Sequence, residues 1–154
     1  MDKQTAPDSV DQVDIGPLNR SLGFLLRIAQ LNVYDHFFDE LGDHDIRPGE
    51  HTVLVLIQRN PGIRQGIVAQ RLKIKRAHMT KLVRALEGQG LVERSIPDSD
   101  RRAVELRLTD KGEDTMIRNV PLVLQNEASL ESRLSEAERE EMHRLLQKFN
   151  GLGT

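Results

Sequence analysis

The chain has 154 residues, 38% of them hydrophobic and 30% charged. That length builds one hydrophobic core; the absence of cysteine excludes disulfides, thiolate zinc sites and thiol-based sensing; and no apolar run approaches the roughly 20 residues that span a bilayer, so no membrane partner is expected. The net charge of −2 conceals a polarised molecule: residues 64–107 hold eleven Lys or Arg against five Asp or Glu, a net of +6, and the other residues hold eleven against nineteen, a net of −8.

Residues 1–14 are polar and acidic and lack the apolar stretch of a signal peptide, so a disordered arm on a cytoplasmic protein is expected. Residues 15–45 read as a dimerisation helix, with helical periodicity over 16–41. Leu18, Leu22, Leu25, Ala29 and Val33 make one stripe, and Phe24, Ile28, Leu31, Phe38 and Leu41 a second. Together they are wider than one helix buries against its own core. Gly42 stops the helix.

Residues 46–108 read as a DNA-binding unit. Pro48 belongs in a first helical turn, and the helix continues to Arg59 around Val53, Leu54 and Leu56. Asn60-Pro61-Gly62 breaks it. A short helix follows over residues 65–72, expected to bury Ile67, Val68 and Leu72. The next spans residues 76–88, with Met79, Leu82, Val83 and Leu86 at i, i+3, i+4 and i+7. Two short strands then alternate, Val92, Arg94 and Ile96 going out and Val104, Leu106 and Leu108 returning, about a turn rich in Pro, Asp and Ser.

Residues 109–154 supply two more dimerisation helices. Thr109 is placed to cap the first, Pro121 inside it predicts a kink, and Ser135 with Glu138 makes a capping box for the last. The stripe Met142, Leu145, Leu146 and Phe149 belongs to a dimer core. The fold class is mainly α with a small β-hairpin wing, a winged helix-turn-helix flanked by N- and C-terminal dimerisation helices.

The DNA-facing side follows from the pattern. Opposite the core stripe, the helix at 76–88 carries Arg76, Ala77, His78, Thr80, Lys81 and Arg84, with Lys75 just before it. Ala77, Lys81 and Arg84 share one ridge, which suits a major groove where Lys or Arg reads guanine and an alanine methyl meets thymine. A merely solvated charged face is the bland alternative, and the arginine-tipped hairpin that follows argues against it. Local charge on one structural unit is the footprint of a polyanion. Five aromatic residues in the whole chain are too few for a platform that stacks single-stranded bases.

Three segments carry a family resemblance: Gly90-Leu91-Val92-Glu93-Arg94, Asp98-Ser99-Asp100-Arg101-Arg102-Ala103 and Leu108-Thr109-Asp110-Lys111-Gly112. They resemble the signature of the multiple-antibiotic-resistance regulator (MarR) family, and the likeness extends over roughly residues 16–150. The resemblance implies a homodimeric transcription regulator that binds a palindromic operator on double-stranded DNA. Residues 76–84 would form its recognition helix, Arg101 or Arg102 would enter the minor groove, and Asp100 would steady the wing by pairing with an arginine. Lys75 and Arg64-Gln65 stand where the family usually has small polar caps, and Lys75 and Arg64 add positive charge beside DNA. A looser likeness of residues 21–27 to regulators of aromatic-acid breakdown points to an aromatic acid or its coenzyme A thioester as effector. Phe24, Leu31, Leu54 and Val55 would be the apolar walls of that site. Arg27 and His51 would meet the anion, although Arg27 alternatively snorkels to solvent and His51 alternatively is a structural histidine.

Other chemistry is sparse. His36, Glu40, Asp43 and His44 cluster in sequence, and His36 with Glu40 at i, i+4 would suit zinc, against the simpler reading of a solvated acidic helix end. Without that ion, no metal and no cofactor is expected. No phosphate loop or nucleophile motif is present, so an enzyme is not expected. A winged-helix adaptor that does not bind DNA is disfavoured by the local charge of +6.

Overall fold

The computed structural model describes residues 9–44 and 47–152. It divides into two compact units, Met1–Asp35 and His36–Thr154. In the first, single 3-10 turns at Val10–Gln12 and Gly16–Arg20 precede helix α1 (Leu22–Leu41). The helix therefore starts later than its periodicity suggests. Gly16 is in the left-handed region at φ 49, and Ser21 is extended, so the chain breaks before α1 begins. Ser21 caps the new start, its Oγ accepting from the Phe24 N–H at 3.4 Å. Leu22, Leu25, Ile28, Leu31, Val33 and Tyr34 all remain exposed.

The second unit contains the end of α1, α2 (Pro48–Arg59), β1 (Ile63–Arg64), α3 (Gln65–Arg71), α4 (Arg76–Gly88), β2 (Val92–Ser95), β3 (Glu105–Leu108), α5 (Asp110–Leu130) and α6 (Glu136–Phe149). The strands form an antiparallel sheet in the order β1-β3-β2. Val92 pairs with Leu108 and Arg94 with Leu106, while Ile63 and Arg64 pair with Leu106 and Glu105 from the other side. Sequence patterning led to the hairpin and missed β1, because two residues carry no period.

One core holds this unit together. Val53, Leu54 and Ile57 of α2 meet Val68 and Ala69 of α3, Met79, Val83 and Leu86 of α4, Leu91, Val92, Leu106, and Met116 of α5. Ile57, Met79 and Leu86 are completely buried, each contributing about 1.5–3 kcal/mol by leaving water. One expectation is corrected here: Ile67 is 52% exposed and Ala69 takes the core place on α3. The helix is a single short span ending at Arg71, so only its Val68–Ala69 side reaches α4. A smaller cluster joins Phe37 and Leu41 of α1 to Val123 of α5. Beside it Asn126 is buried, with its amide donating to the His36 carbonyl at 3.4 Å and its own carbonyl 3.2 Å from His36 Nε2.

Local signals fix the later helices. Thr109 caps α5 by accepting from the Gly112 N–H at 3.0 Å, and its hydroxyl donates to the Gly90 carbonyl. The helix then runs unbroken through Pro121. Ser135 and Glu138 close the expected capping box on α6, none of whose residues is buried. Gly112 is required for packing: a Cβ there would lie far inside van der Waals contact distance of the Leu91 carbonyl oxygen. The spacing from Leu91 to Gly112 thus joins the start of the hairpin to α5.

Candidate nucleic-acid interface

Helices α3 and α4 are joined by a tight turn at residues 72–75. Helix α3 ends in a paired capping pattern, with Lys73 N–H donating to the Gln70 carbonyl and Ile74 N–H to that of Ala69. This motif needs a left-handed residue one past the cap, usually glycine. Here Lys73 takes it at φ 55, the one described non-glycine residue with positive φ.

Helix α4 then presents two unlike sides. Met79, Val83 and Leu86 are buried, and Lys75, Arg76, Ala77, His78, Lys81 and Arg84 are exposed. Thr80 differs from its neighbours in being half-buried and bonded. Its hydroxyl donates to the Arg76 carbonyl at 3.0 Å and accepts from Gln65 Nε2 at 3.2 Å. Neither Arg64 nor Lys75 caps its helix with its side chain, so the first N–H groups of α4 lie beside exposed basic residues with no side-chain cap.

The wing leaves β2 at Ser95 and returns at Glu105. Its loop is closed by Asp100 N–H to the Pro97 carbonyl at 3.1 Å and Ala103 N–H to the Asp100 carbonyl at 2.9 Å. Arg101 and Arg102 are exposed on this loop, and Ala103 is buried at its root. Asp100 does have an arginine partner, but it lies outside the wing. Asp100 Oδ2 is 3.5 Å from Arg64 Nη1, and Oδ1 accepts the backbone N–H of Arg102 at 3.1 Å. The positive charge expected at Arg64 is thus matched by a carboxylate. Arg94 is similarly committed, with Nη2 at 2.7 Å from Glu87 Oε2. On the recognition side and the wing, Arg76, Arg84, Arg101 and Arg102 are exposed and form no ion pair among the described residues, as is also true of Arg71 and Arg107 elsewhere in the unit. Between α3, α4 and the wing lies a cleft of about 420 Å³, lined in part by Arg64, Arg76, Arg102, Thr80 and Asp100.

The candidate effector residues are distributed across both units. Phe24 is half-buried, and Arg27 and Leu31 are exposed, all on the N-terminal part of α1. Leu54 is buried in the winged core and Val55 packs against it. His51 and Leu54 border a cleft of only about 20 Å³, room for about one water and not for an aromatic acid. Burial lowers the His51 pKa, and its Nδ1 has no hydrogen-bond partner among the described residues. The metal reading finds no such assembly. Among the described residues no group of three or more His, Asp or Glu is placed to hold an ion, and His36 Nε2 faces the Asn126 carbonyl. No helix among them is long and apolar enough to cross a membrane.

A two-helix unit about a tight turn, with an exposed basic second helix and an arginine-bearing hairpin on one core, defines a winged helix-turn-helix protein. Residues 46–104 match the MarR family. The chain is 31% identical over 135 residues to the putative transcriptional regulatory protein for the hcr operon of Thauera aromatica, covering 87% of this chain and 81% of that one. Among solved structures it is similar to the transcriptional repressor CouR bound to a 23-mer DNA duplex, at 34% identity and a TM-score of 0.84, covering 90% of this chain and 99% of that one. It is also similar to CouR bound to p-coumaroyl-CoA, at 31% identity and a TM-score of 0.80, covering 90% and 98%. The chain belongs to the MarR family of transcription regulators and is not an enzyme.

Proposed function

We propose that this protein is a cytoplasmic homodimeric repressor that holds a near-palindromic operator and releases it on binding an aromatic acid or its coenzyme A thioester. The observation that carries this reading is the likeness to one repressor, over nine-tenths of the chain, both in its DNA-bound form and with an aryl coenzyme A thioester. Exposed apolar side chains on α1 and α6 support the dimer. In this reading residues 15–45 and 109–154 form the dimer base, and residues 46–108 form the DNA-binding unit. Lys75, Arg76, Ala77, His78, Thr80, Lys81 and Arg84 face the major groove, and Arg101 and Arg102 face the minor groove. No residue is assigned to the effector here, because the sequence candidates Arg27 and His51 lie in different units and the cleft beside His51 is too small for an aromatic acid.

The test is operator binding followed by fluorescence anisotropy on DNA selected from a random pool. Half-sites should lie about 10 bp apart, one helical turn. Lys81→Ala or Arg84→Ala should cost roughly 1–3 kcal/mol and relax preference at one base. Loss of Arg101 or Arg102 should weaken binding evenly and flatten its salt dependence. Among p-coumaroyl-CoA, free p-coumarate and benzoate at least one should release DNA, and zinc, peroxide and free coenzyme A should not. A hundredfold preference for the DNA-incompetent state corresponds to about 2.7 kcal/mol of differential affinity. Release by zinc alone would move the effector to a metal, and failure to select any DNA would leave a protein-binding adaptor.

A further inference from the structure

We propose that the adjacent residues Arg64 and Gln65 are positioning residues that lock the wing and the recognition helix into one register, so that major- and minor-groove contacts form as a coupled pair. The inference rests on the assignment of α4 and the wing to DNA.

Strand β1 holds only two residues, yet it lies where α3, α4 and the wing meet. Its backbone is fixed to the returning arm of the wing: Arg64 pairs with Glu105 in the ladder, and Gln65 N–H donates to the Val104 carbonyl at 2.8 Å. From this anchored point two side chains diverge. Arg64 reaches Asp100 on the wing loop. The same carboxylate accepts the Arg102 N–H, so the ion pair orients the segment of backbone that carries Arg102. Gln65 reaches in the other direction, to the Thr80 hydroxyl, which is bonded to the carbonyl of Arg76 in the first turn of α4. One dipeptide therefore holds the wing arginine with one arm and the start of the recognition helix with the other.

Stability does not explain the arrangement. Arg64 and Asp100 side chains are 50% and 41% exposed, and exposed pairs contribute little to folding. What the pair does limit is the freedom of the wing tip, whose other hydrogen bonds named above are local to the loop, the bond of Gln65 N–H to Val104 holding only its root. A loop ordered before binding has less conformational freedom to lose on the DNA.

The experiment compares Arg64→Ala, Asp100→Asn and the double variant on the selected operator across a salt series, with Lys81→Ala and Arg102→Ala in parallel. Asp100→Asn keeps an acceptor for the Arg102 N–H and removes only the charge. Each single variant should weaken binding about tenfold, the double no more than either alone, as coupled residues do. Arg64→Lys should restore most of the affinity. Thermal melts of all variants should stay near wild type, and the salt slope should not change. A different pattern overturns the proposal: Arg64→Ala flattening the slope by about 0.9 while Asp100→Asn binds tighter would make Arg64 a phosphate contact. Additive losses in the double variant would likewise remove the coupling. If Lys81→Ala and Arg102→Ala bind like wild type, the DNA assignment itself fails; if they weaken binding and the coupling is absent, only this inference does.

Discussion

The winged core and the terminal helices contrast sharply in how they use apolar residues. In the winged core the periodic positions of α2 and α4 are buried: Val53, Ile57, Met79, Val83 and Leu86 are all fully covered. In α6, Met142, Leu145 and Phe149 repeat with equal regularity and remain exposed, Phe149 at 62%. The same sequence pattern thus marks two kinds of surface. A stripe satisfied within one chain belongs to the fold, whereas a stripe left open is the kind of surface that the proposed dimer would cover.

The largest effect should come from the point where the winged core has no room. Gly112→Ala forces a methyl into the Leu91 carbonyl oxygen, which neither helix α5 nor the hairpin start can yield without moving. Overpacking typically costs about 1–3 kcal/mol and occasionally more, and because the clash here is with backbone the loss should reach about 5 kcal/mol or above. Urea denaturation should show the midpoint fall at every protein concentration, and a wild-type midpoint would show that α5 and the hairpin are not tightly joined.

The contrast itself can be broken by a matched pair of truncations. Ile57→Ala should lose about 2–5 kcal/mol, as buried isoleucines do, in a manner independent of concentration. Phe149→Ala removes more apolar surface but should leave dilute stability little changed while weakening self-association, so that its melting temperature depends on concentration. Sedimentation across a dilution series checks this. If both variants behave alike, the open stripe on α6 is not an association surface.

Sequence patterning reached those elements whose determinants lie close together along the chain. The core side of α4 follows from a 3.6-residue period, and Thr109 and Ser135 follow from caps that act within three residues. Contacts between distant segments were not legible. That Asp100 pairs with Arg64 depends on β1 docking beside β3, and two residues have no periodicity to announce a strand. The exposure of Ile67 was equally hidden, because a seven-residue helix with one buried side can present either of two apolar faces. Nor does lysine signal a left-handed backbone, so the conformation of Lys73 appears only in the folded turn.

That turn gives a smaller, opposite effect. Lys73 occupies a conformation that favours glycine, and left-handed backbone costs a non-glycine residue about 1 kcal/mol or more. Lys73→Gly should therefore raise stability by about 0.5 kcal/mol after the added flexibility of the unfolded chain is counted. Chemical denaturation resolves this if midpoints are compared at equal slope. Destabilisation by Lys73→Gly would mean that the lysine stem makes packing contacts which outweigh the strain.

The smallest expected effect concerns His51, at the margin of the winged core. Burial holds its pKa below the ordinary 6.5, and its Nδ1 has no described partner to stabilise an added proton. The sign follows from which state takes up the proton first. As pH falls through 6.5 the unfolded chain is protonated while the folded one is not, so stability declines. The decline ends below the folded pKa, where both states carry the charge. Glu127 works in the other direction and at lower pH. Its pKa is raised by burial and by Glu131, with His143 opposing, so protonation on acidification favours the folded state. His51→Gln should therefore flatten the loss of stability just below pH 6.5 and leave the curve above pH 7 unchanged in shape. Denaturation midpoints measured between pH 5 and 8 on both proteins test this, and parallel curves across that range would show that His51 does not titrate differently on folding.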